Sequence, residues 1–544
     1  MGNEITSCNF TAGTEIQGRR HLGRPRRQEG VQVIRNETFI CMTGEVVGQS
    51  LCDVTRPVQP APRTRLIEAI FYSNNLSPTS SCVMFSIASY YLFRLYTSLV
   101  NMNSVVLILF TIFLGVLYLL KLWWQHRHIR KLASKIPGPK SYPIIGNILD
   151  ALAWTQEDSY QKYLCLVRKY TPTVRFWAGP YLLIFVSDPC DLEILMNSEK
   201  CLGRERCKNV LDKYPVGDGL TAIGGEQWKI HRKFILSSFH YRYFEYFIRV
   251  FNKNSKILVN HLEGTCNNTD TVDIYHYITK FAFESICETI LGFEMKVQEK
   301  ISEKYINSTD TAIGIFTQMF LKPWLLSPII IRLTSYHKTM TECTNYLNSF
   351  SNEIFIKKTK EYRERINQQV STRVTSDKSA NKYRQSLIDS MIQLIEHNEC
   401  LLNKNEIIGE INWTIIAGME TTATSLSFTM MLLGFHQDVQ RKVQEELDAV
   451  FGDDVERSVS MEDLNNLKYT EQVIKESLRL YPVVPFMPRT STEDIKITNY
   501  TIPKGCDVIF SIYSLHRNPN IYPNPDEFDP ENFSPERSKG RHPY

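Results

Sequence analysis

The sequence carries little net charge: 62 lysines and arginines stand against 58 acids, a formal +4 over 544 residues. So small a surplus gives no argument for nucleic acid as a partner. The chain also lacks paired metal-ligand cysteines. Its 13 cysteines are scattered with no Cys-x-x-Cys, and Cys201 and Cys207 stand six apart, so no zinc framework is available and the thiols read as reduced. Proline is missing between Glu406 and Phe435, where only Gly409, Gly418 and Gly434 act as weak breakers. That absence allows one long, largely buried helix. With 43% hydrophobic and 22% charged residues the whole is a folded globular chain, long enough for one large domain or several ordinary ones.

Val105 to Leu120 is an unbroken apolar and small run, continued by Leu122, Trp123 and Trp124. It is long enough to span a bilayer, and the basic flank from Gln125 to Lys135 places the following domain on the cytosolic side. A membrane anchor is therefore expected over 102–125, with lipid as a partner and one span. The preceding residues, 1–101, mix Gly, Pro, Ser and Arg without periodicity and read as an atypical extension, with Met102 a candidate start.

A basic and proline-rich hinge occupies 126–147, where Ile136-Pro-Gly-Pro139 and Tyr142-Pro-Ile-Ile-Gly-Asn147 are held stiff because proline fixes its own backbone and disfavours helix before it. Two short strands are expected around the Ala178-Gly-Pro turn, and mostly helix from Pro189 to Val450. The class is mainly α with a small β-sheet region. Trp228 and Arg232, four apart on a helix opened by Gly224-Gly225, share a face; they could donate together to a carboxylate, or the arginine could simply pack on the ring. Phe320 to Ile331, apolar and broken by Pro323 and Pro328, fits either a membrane-interface segment or core. Gln368 to Lys382 reads as an exposed loop, and Asp438 to Val450, with Lys442, Glu445 and Glu446, as a solvated surface helix.

Inside the long apolar helix, Ala417-Gly418-Met419-Glu420-Thr421-Thr422 places two small residues one turn before an acid and a hydroxyl. Thr421 can bond back to the carbonyl of Ala417 or Gly418 and open a notch, where Glu420 and Thr421 form a proton relay and Gly418 lets backbone approach a flat ligand. Farther on, Glu476 and Arg479 can pair on a helix stopped by Pro482. The proline-rich coil from Leu515 to Phe533 then needs something fixed to hold it, and a buried Arg479 donating to several carbonyls would do so.

Taken together these stretches resemble the microsomal cytochromes P-450, the haem-thiolate monooxygenases. The resemblance runs from Pro137 to Tyr544 through five motifs in the family's order: the Pro-rich hinge, Trp228 with Arg232, Ala417 to Thr422, Glu476 with Arg479, and the meander Phe528 to Phe533. Leu202-Gly-Arg-Glu-Arg, Tyr214-Pro-Val-Gly-Asp-Gly-Leu-Thr and Trp228-Lys-Ile-His-Arg-Lys are most similar to family 4, often seen in insects. The resemblance implies a haem-binding domain over 148–544, with Trp228, Arg232 and Arg489 on the propionates and Ala417 and Gly418 beside the ring. Glu420 and Thr421 would deliver protons during dioxygen activation, and Glu476 with Arg479 would lock the meander. It also implies an NADPH-dependent reductase docking near the basic helix of Arg232, a small cytochrome as a second electron donor, a lipophilic substrate and an endoplasmic reticulum location.

Three departures from the family pattern stand out. Ala417 occupies the position where family-4 enzymes often carry a glutamate able to esterify haem, so no such ester can form. Asn532 stands where many relatives have arginine. The Phe-x-x-Gly-x-x-x-Cys-x-Gly loop that supplies the axial thiolate does not occur before Tyr544, and the last cysteine, Cys506, precedes the meander. The expectation is thus a monooxygenase domain incomplete at its C-terminus and inactive as written, since a thiolate ligand favours O–O cleavage. A non-catalytic membrane-anchored fragment and a haem-thiolate isomerase acting on peroxides are the competing readings. Haem content discriminates the first, and reductase dependence the second.

Overall fold

The computed structural model describes most of residues 126–543, with its longest gaps at 204–215 and 373–385, together with residues 90, 91, 94, 106, 109–115, 117, 121 and 124. Nearly all of the 1–101 extension, most of the 102–125 anchor, positions 204–206, 214–215 and 217–218 of the family-4 phrases, positions 323, 324, 326 and 327 of the apolar 320–331 segment and most of the 368–382 loop lie outside the described residues. Two compact units are present, one comprising residues 19–122 and the other essentially residues 123–544. In the first, residues 109–115 are helical, and Leu109, Phe110, Ile112 and Phe113 are exposed. Among the described residues no helix is long and apolar enough to cross a membrane.

The second unit is mainly helical with two small sheets. Its described elements run α1 (Gln156–Tyr170), β1 (Thr173–Ala178), β2 (Tyr181–Val186), α2 (Gly225–Leu236), α3 (Phe244–Cys266), α4 (Ile274–Ile286), α5 (Glu303–Leu321), α6 (Ser335–Thr372), α7 (Leu387–Glu396), α8 (Lys404–Phe435), α9 (Gln437–Phe451) and α10 (Lys468–Leu480). Strands β3 (Phe486–Thr490), β4 (Ile495–Lys496), β5 (Thr501–Ile502) and β6 (Asp507–Ser511) follow. The expected strand pair around Ala178 is present as an antiparallel hairpin, with Thr173 opposite Val186. The sheet's order is β1-β2-β6-β3, so β6 lies parallel to β2 and antiparallel to β3. Pairing β2 with β6 ties the first part of the unit to the last, which fixes β3 and its Arg489.

Helix α8 is the axis of the core. Asn403 caps it, its side chain accepting from Asn405 N at 2.9 Å and Glu406 N at 3.1 Å, while Glu406 accepts from Asn403 N at 2.7 Å. This reciprocal box starts the helix where the apolar run begins. Ile407, Ile411, Ile415 and Met419, spaced four apart, are all at most 1% exposed and pack with Phe283 of α4 and Leu387 of α7. Burying such side chains contributes about 1.5–3 kcal/mol each.

Helix α10 ends at Leu480, before Pro482, as the missing N–H of proline requires. The surface helix expected over 438–450 is α9, but Glu446 is not merely solvated. It accepts from Tyr469 N at 2.7 Å and Thr470 N at 2.8 Å, satisfying the open N–H groups at the start of α10. Those bonds hold its carboxyl below the usual range, against the opposing effect of burial.

Candidate active site

The site assembles on α8 and the elements packed on it. Thr421 Oγ1 donates to Ala417 O at 2.6 Å, the back-bond expected from the sequence. Ala417 is exposed although Ile415, Ile416 and Met419 around it are buried, so this side of the helix faces open space. Gly418 is different. A Cβ added there would sit 2.5 Å from Cγ1 and 2.7 Å from Cδ1 of Ile286, so the room left by the glycine is filled by α4 rather than kept for a flat ligand. Gly418→Val is expected to cost about 1–3 kcal/mol through overpacking. Trimming Ile286 to alanine in the same chain should restore part of that loss in urea denaturation, and no restoration would exclude Ile286 as its cause.

Glu420 and Thr421 do not sit together at the notch. Successive helical residues point about 100° apart, and Glu420 turns to α4, where its Oε2 accepts from the Tyr275 hydroxyl at 3.0 Å. Burial, and then the neighbouring Asp310 carboxyl of α5, push Glu420 up to about 7. Burial also raises Asp310.

On α2 the Arg232 guanidinium lies over the Trp228 ring, 4.9 Å from its centroid. Of the two expected arrangements the structure has the stacked one, a cation–π contact. The intervening His231 points inward, and its Nδ1 meets Glu410 Oε1 of α8 at 2.5 Å, the two side chains being 2% and 1% exposed. This pair seats α2 on α8 at a level seven residues, about 10 Å along the axis, before Ala417. Neither partner follows from motif spacing. The available signal was an acid, Glu410, inside the apolar run Ile407 to Ile416, since a buried carboxylate needs a partner.

Arg489 stands in β3 opposite Val508, with Nη1 donating to Pro488 O at 3.0 Å. Its charge acts on the Cys201 thiol, which burial nevertheless pushes up to about 11.

Glu476 and Arg479 meet as expected, Nε at 2.7 Å and Nη2 at 2.8 Å from the carboxylate oxygens. Arg479 also donates to the carbonyls of His516 (2.9 Å), Pro525 (2.7 Å) and Glu527 (2.8 Å). Asn532 joins this network, its Nδ2 reaching Glu476 Oε1 at 3.1 Å.

A family model described as "Cytochrome P450" matches residues 136–544. The chain belongs to the cytochrome P450 family. It is 31% identical over 416 residues to Cytochrome P450 4c21 of Blattella germanica, covering 76% of this chain and 81% of the relative. It is likewise 31% identical to Cytochrome P450 4V2 of Mus musculus, over 80% of this chain and 81% of the relative. Cytochrome P450 4g15 of Drosophila melanogaster is 29% identical over 80% and 86% of the two chains. The resemblance to family 4 is thus shared by insect and mammalian members.

Membership makes this P450 a haem monooxygenase in general, with dioxygen as co-substrate and NADPH-derived electrons arriving through a reductase. The residues present fit part of a haem site. Ala417 offers an open, small-residue face, and Trp228, Arg232 and Arg489 are the donor types that acidic side groups of the haem require. Of the described cysteines, Cys201, Cys287 and Cys506 are buried in packing, and Cys506 Sγ lies 3.5 Å from Ser491 Oγ.

Proposed function

We propose that this P450 inserts one oxygen atom into a lipophilic substrate, a fatty acid, hydrocarbon or foreign lipophile. Residues 102–125 anchor it to the endoplasmic reticulum membrane, 126–147 form the hinge and 148–544 the catalytic domain. The observation that carries the proposal is the open face at Ala417 beside the Thr421 back-bond, next to the buried Ile415, Ile416 and Met419 of the same helix.

In this reading Trp228, Arg232 and Arg489 hold the acidic groups of the haem, and Ala417 leaves room for the ring. Bound haem supplies the iron at which dioxygen is activated. Thr421 holds a transferable proton at Oγ1, and Glu420, protonated in part near neutral pH, is the store behind it. The reductase docks near α2, the basic helix that carries Lys229, Arg232 and Lys233. Membrane contact is also supported by the short helix Pro328–Arg332: Ile331 is buried, while Ile329 and Leu333 are 74% and 84% exposed.

The test incubates membranes carrying the full chain with NADPH, the reductase and a medium-chain fatty acid, and looks for hydroxylated product and for haem in the reduced, carbon monoxide-treated spectrum. A chain without haem would favour the non-catalytic fragment, and turnover without reductase the isomerase. In a chain that carries a complete axial-cysteine loop, Thr421→Ala should lower product formed per NADPH consumed roughly tenfold or more. Unchanged coupling would remove Thr421 from proton delivery.

A further inference from the structure

Glu420 hydrogen-bonds to Tyr275 of α4 and not to Thr421. It points into the seam between α4 and α5, and the groups there form a path of their own. Tyr275 of α4 donates to Glu420 Oε2 at 3.0 Å, which fixes the carboxyl plane. Oε1 is buried and accepts no hydrogen bond from any described donor. The Asp310 carboxyl of α5 lies within hydrogen-bonding reach of Glu420 and belongs to an exposed residue. Two adjacent carboxyls cannot both ionise without strong repulsion, so one proton between them is the stable arrangement.

We propose that Asp310 is the solvent-side member of a proton relay that reloads Glu420, with Tyr275 as the positioning residue that aims Glu420 Oε1 at it. The proposal rests on the monooxygenase reading above. In each cycle the one proton of the pair leaves the Glu420 carboxyl toward the Thr421 side, Asp310 takes a proton from bulk water, and that proton passes on to the Glu420 carboxylate. No electrons move, and the charge of the pair is restored.

Every element around Glu420 contributes a group to this picture. On α8, Thr424 supplies a hydroxyl to Tyr275. On α4, besides Tyr275, His276 and Lys280 lie 3.9 and 3.6 Å from Glu303, which is on α5 two turns, about 10 Å, from Asp310. The Lys280 charge is answered at that end of the seam. The pKa of Glu420 near neutrality agrees with the geometry, since a store must both give and take a proton at working pH. Asp310 and Tyr275 belong to none of the motifs from which the family is read.

The test has two readouts on the full chain. Infrared titration of the protonated carboxyl band needs neither haem nor turnover. The unsubstituted chain should keep such a band to near neutral pH, Glu420→Gln should remove it, and Asp310→Asn should move its midpoint down by about one pH unit or more. Asp310→Glu should retain it. In reductase-driven turnover Asp310→Asn should lower product per NADPH and raise the solvent isotope effect, and Asp310→Glu should recover both. An unmoved infrared midpoint in Asp310→Asn overturns the proposal, as does a moved midpoint with unaltered coupling, which would make the pair a structural link only. Absence of product from the unsubstituted chain counts instead against the monooxygenase reading.

Discussion

Arg479→Ala should cost the domain about 3–5 kcal/mol of folding stability, because removing one partner of a buried ion pair leaves the other charged and unpaired. Arg479 is 1% exposed and Glu476 0%. The guanidinium spends its donors on both carboxylate oxygens and on the carbonyls of His516, Pro525 and Glu527. After the substitution Glu476 would retain only Asp529 N at 2.9 Å and Asn532 Nδ2 at 3.1 Å. Three carbonyls of the proline-rich coil would lose their donor together, and the coil has no ladder of its own to replace it. Arg479→Lys should recover little, since an ammonium cannot span the fork and the carbonyls at once. Asn532→Ala, which removes one contact to the same carboxylate, should cost nearer 1 kcal/mol. Urea denaturation of the full chain measures all three. A loss under about 1 kcal/mol for Arg479→Ala would mean that aromatic packing, such as Tyr522 against Arg541 at 4.7 Å, holds the coil instead.

What the sequence made legible was whatever spacing along one chain dictates. The long proline-free run gave α8, alternating apolar residues around Ala178-Gly-Pro gave β1 and β2, and Pro482 gave the end of α10. The coil after Leu515 could be assigned to Arg479 from its proline content, because a segment barred from helix and strand must find donors elsewhere. Relations across the chain stayed hidden. Gly418 fitted a ligand cradle equally well until Ile286, far off in sequence, was seen to fill its space. Glu420 looked like the notch-side partner of Thr421, yet the 100° step between neighbours sends it to Tyr275. Trp228 and Arg232 had two arrangements open, and only their stacking settled which one is adopted. Glu446 read as a solvated charge because the N–H groups that it satisfies begin 23 positions later. In each case the missing quantity was the direction of a side chain relative to an element that the local pattern does not contain.

The pair His231 and Glu410 yields the second large effect, and one with a definite pH signature. Glu410 Oε1 meets His231 Nδ1 at 2.5 Å, Leu220 adds a backbone N–H, and Oε2 is buried without a described partner. Burial raises the Glu410 carboxyl while His231 opposes that rise. In His231→Ala the opposition is gone, so the folded state binds a proton more tightly than the unfolded chain does. Stability then falls as pH rises through the ordinary carboxylate range, because the unfolded state releases that proton first. The expected loss is about 3–5 kcal/mol near neutrality, shrinking toward about pH 5 as Glu410 becomes protonated. Glu410→Gln added to His231→Ala should flatten this dependence by removing the charge. The loop before α2 lies close on α8: a Cβ at Gly219 would collide with Trp413 Cδ1 and lie 2.7 Å from Gly409 O. If Trp228 and Arg232 hold the haem as proposed, loosening α2 should lower haem content along with stability at neutral pH, with partial recovery in the double variant. Denaturation midpoints at the two pH values, read beside haem content, check both expectations. A pH-independent loss would show that His231 holds the helices by packing alone and that Glu410 keeps its proton in either form.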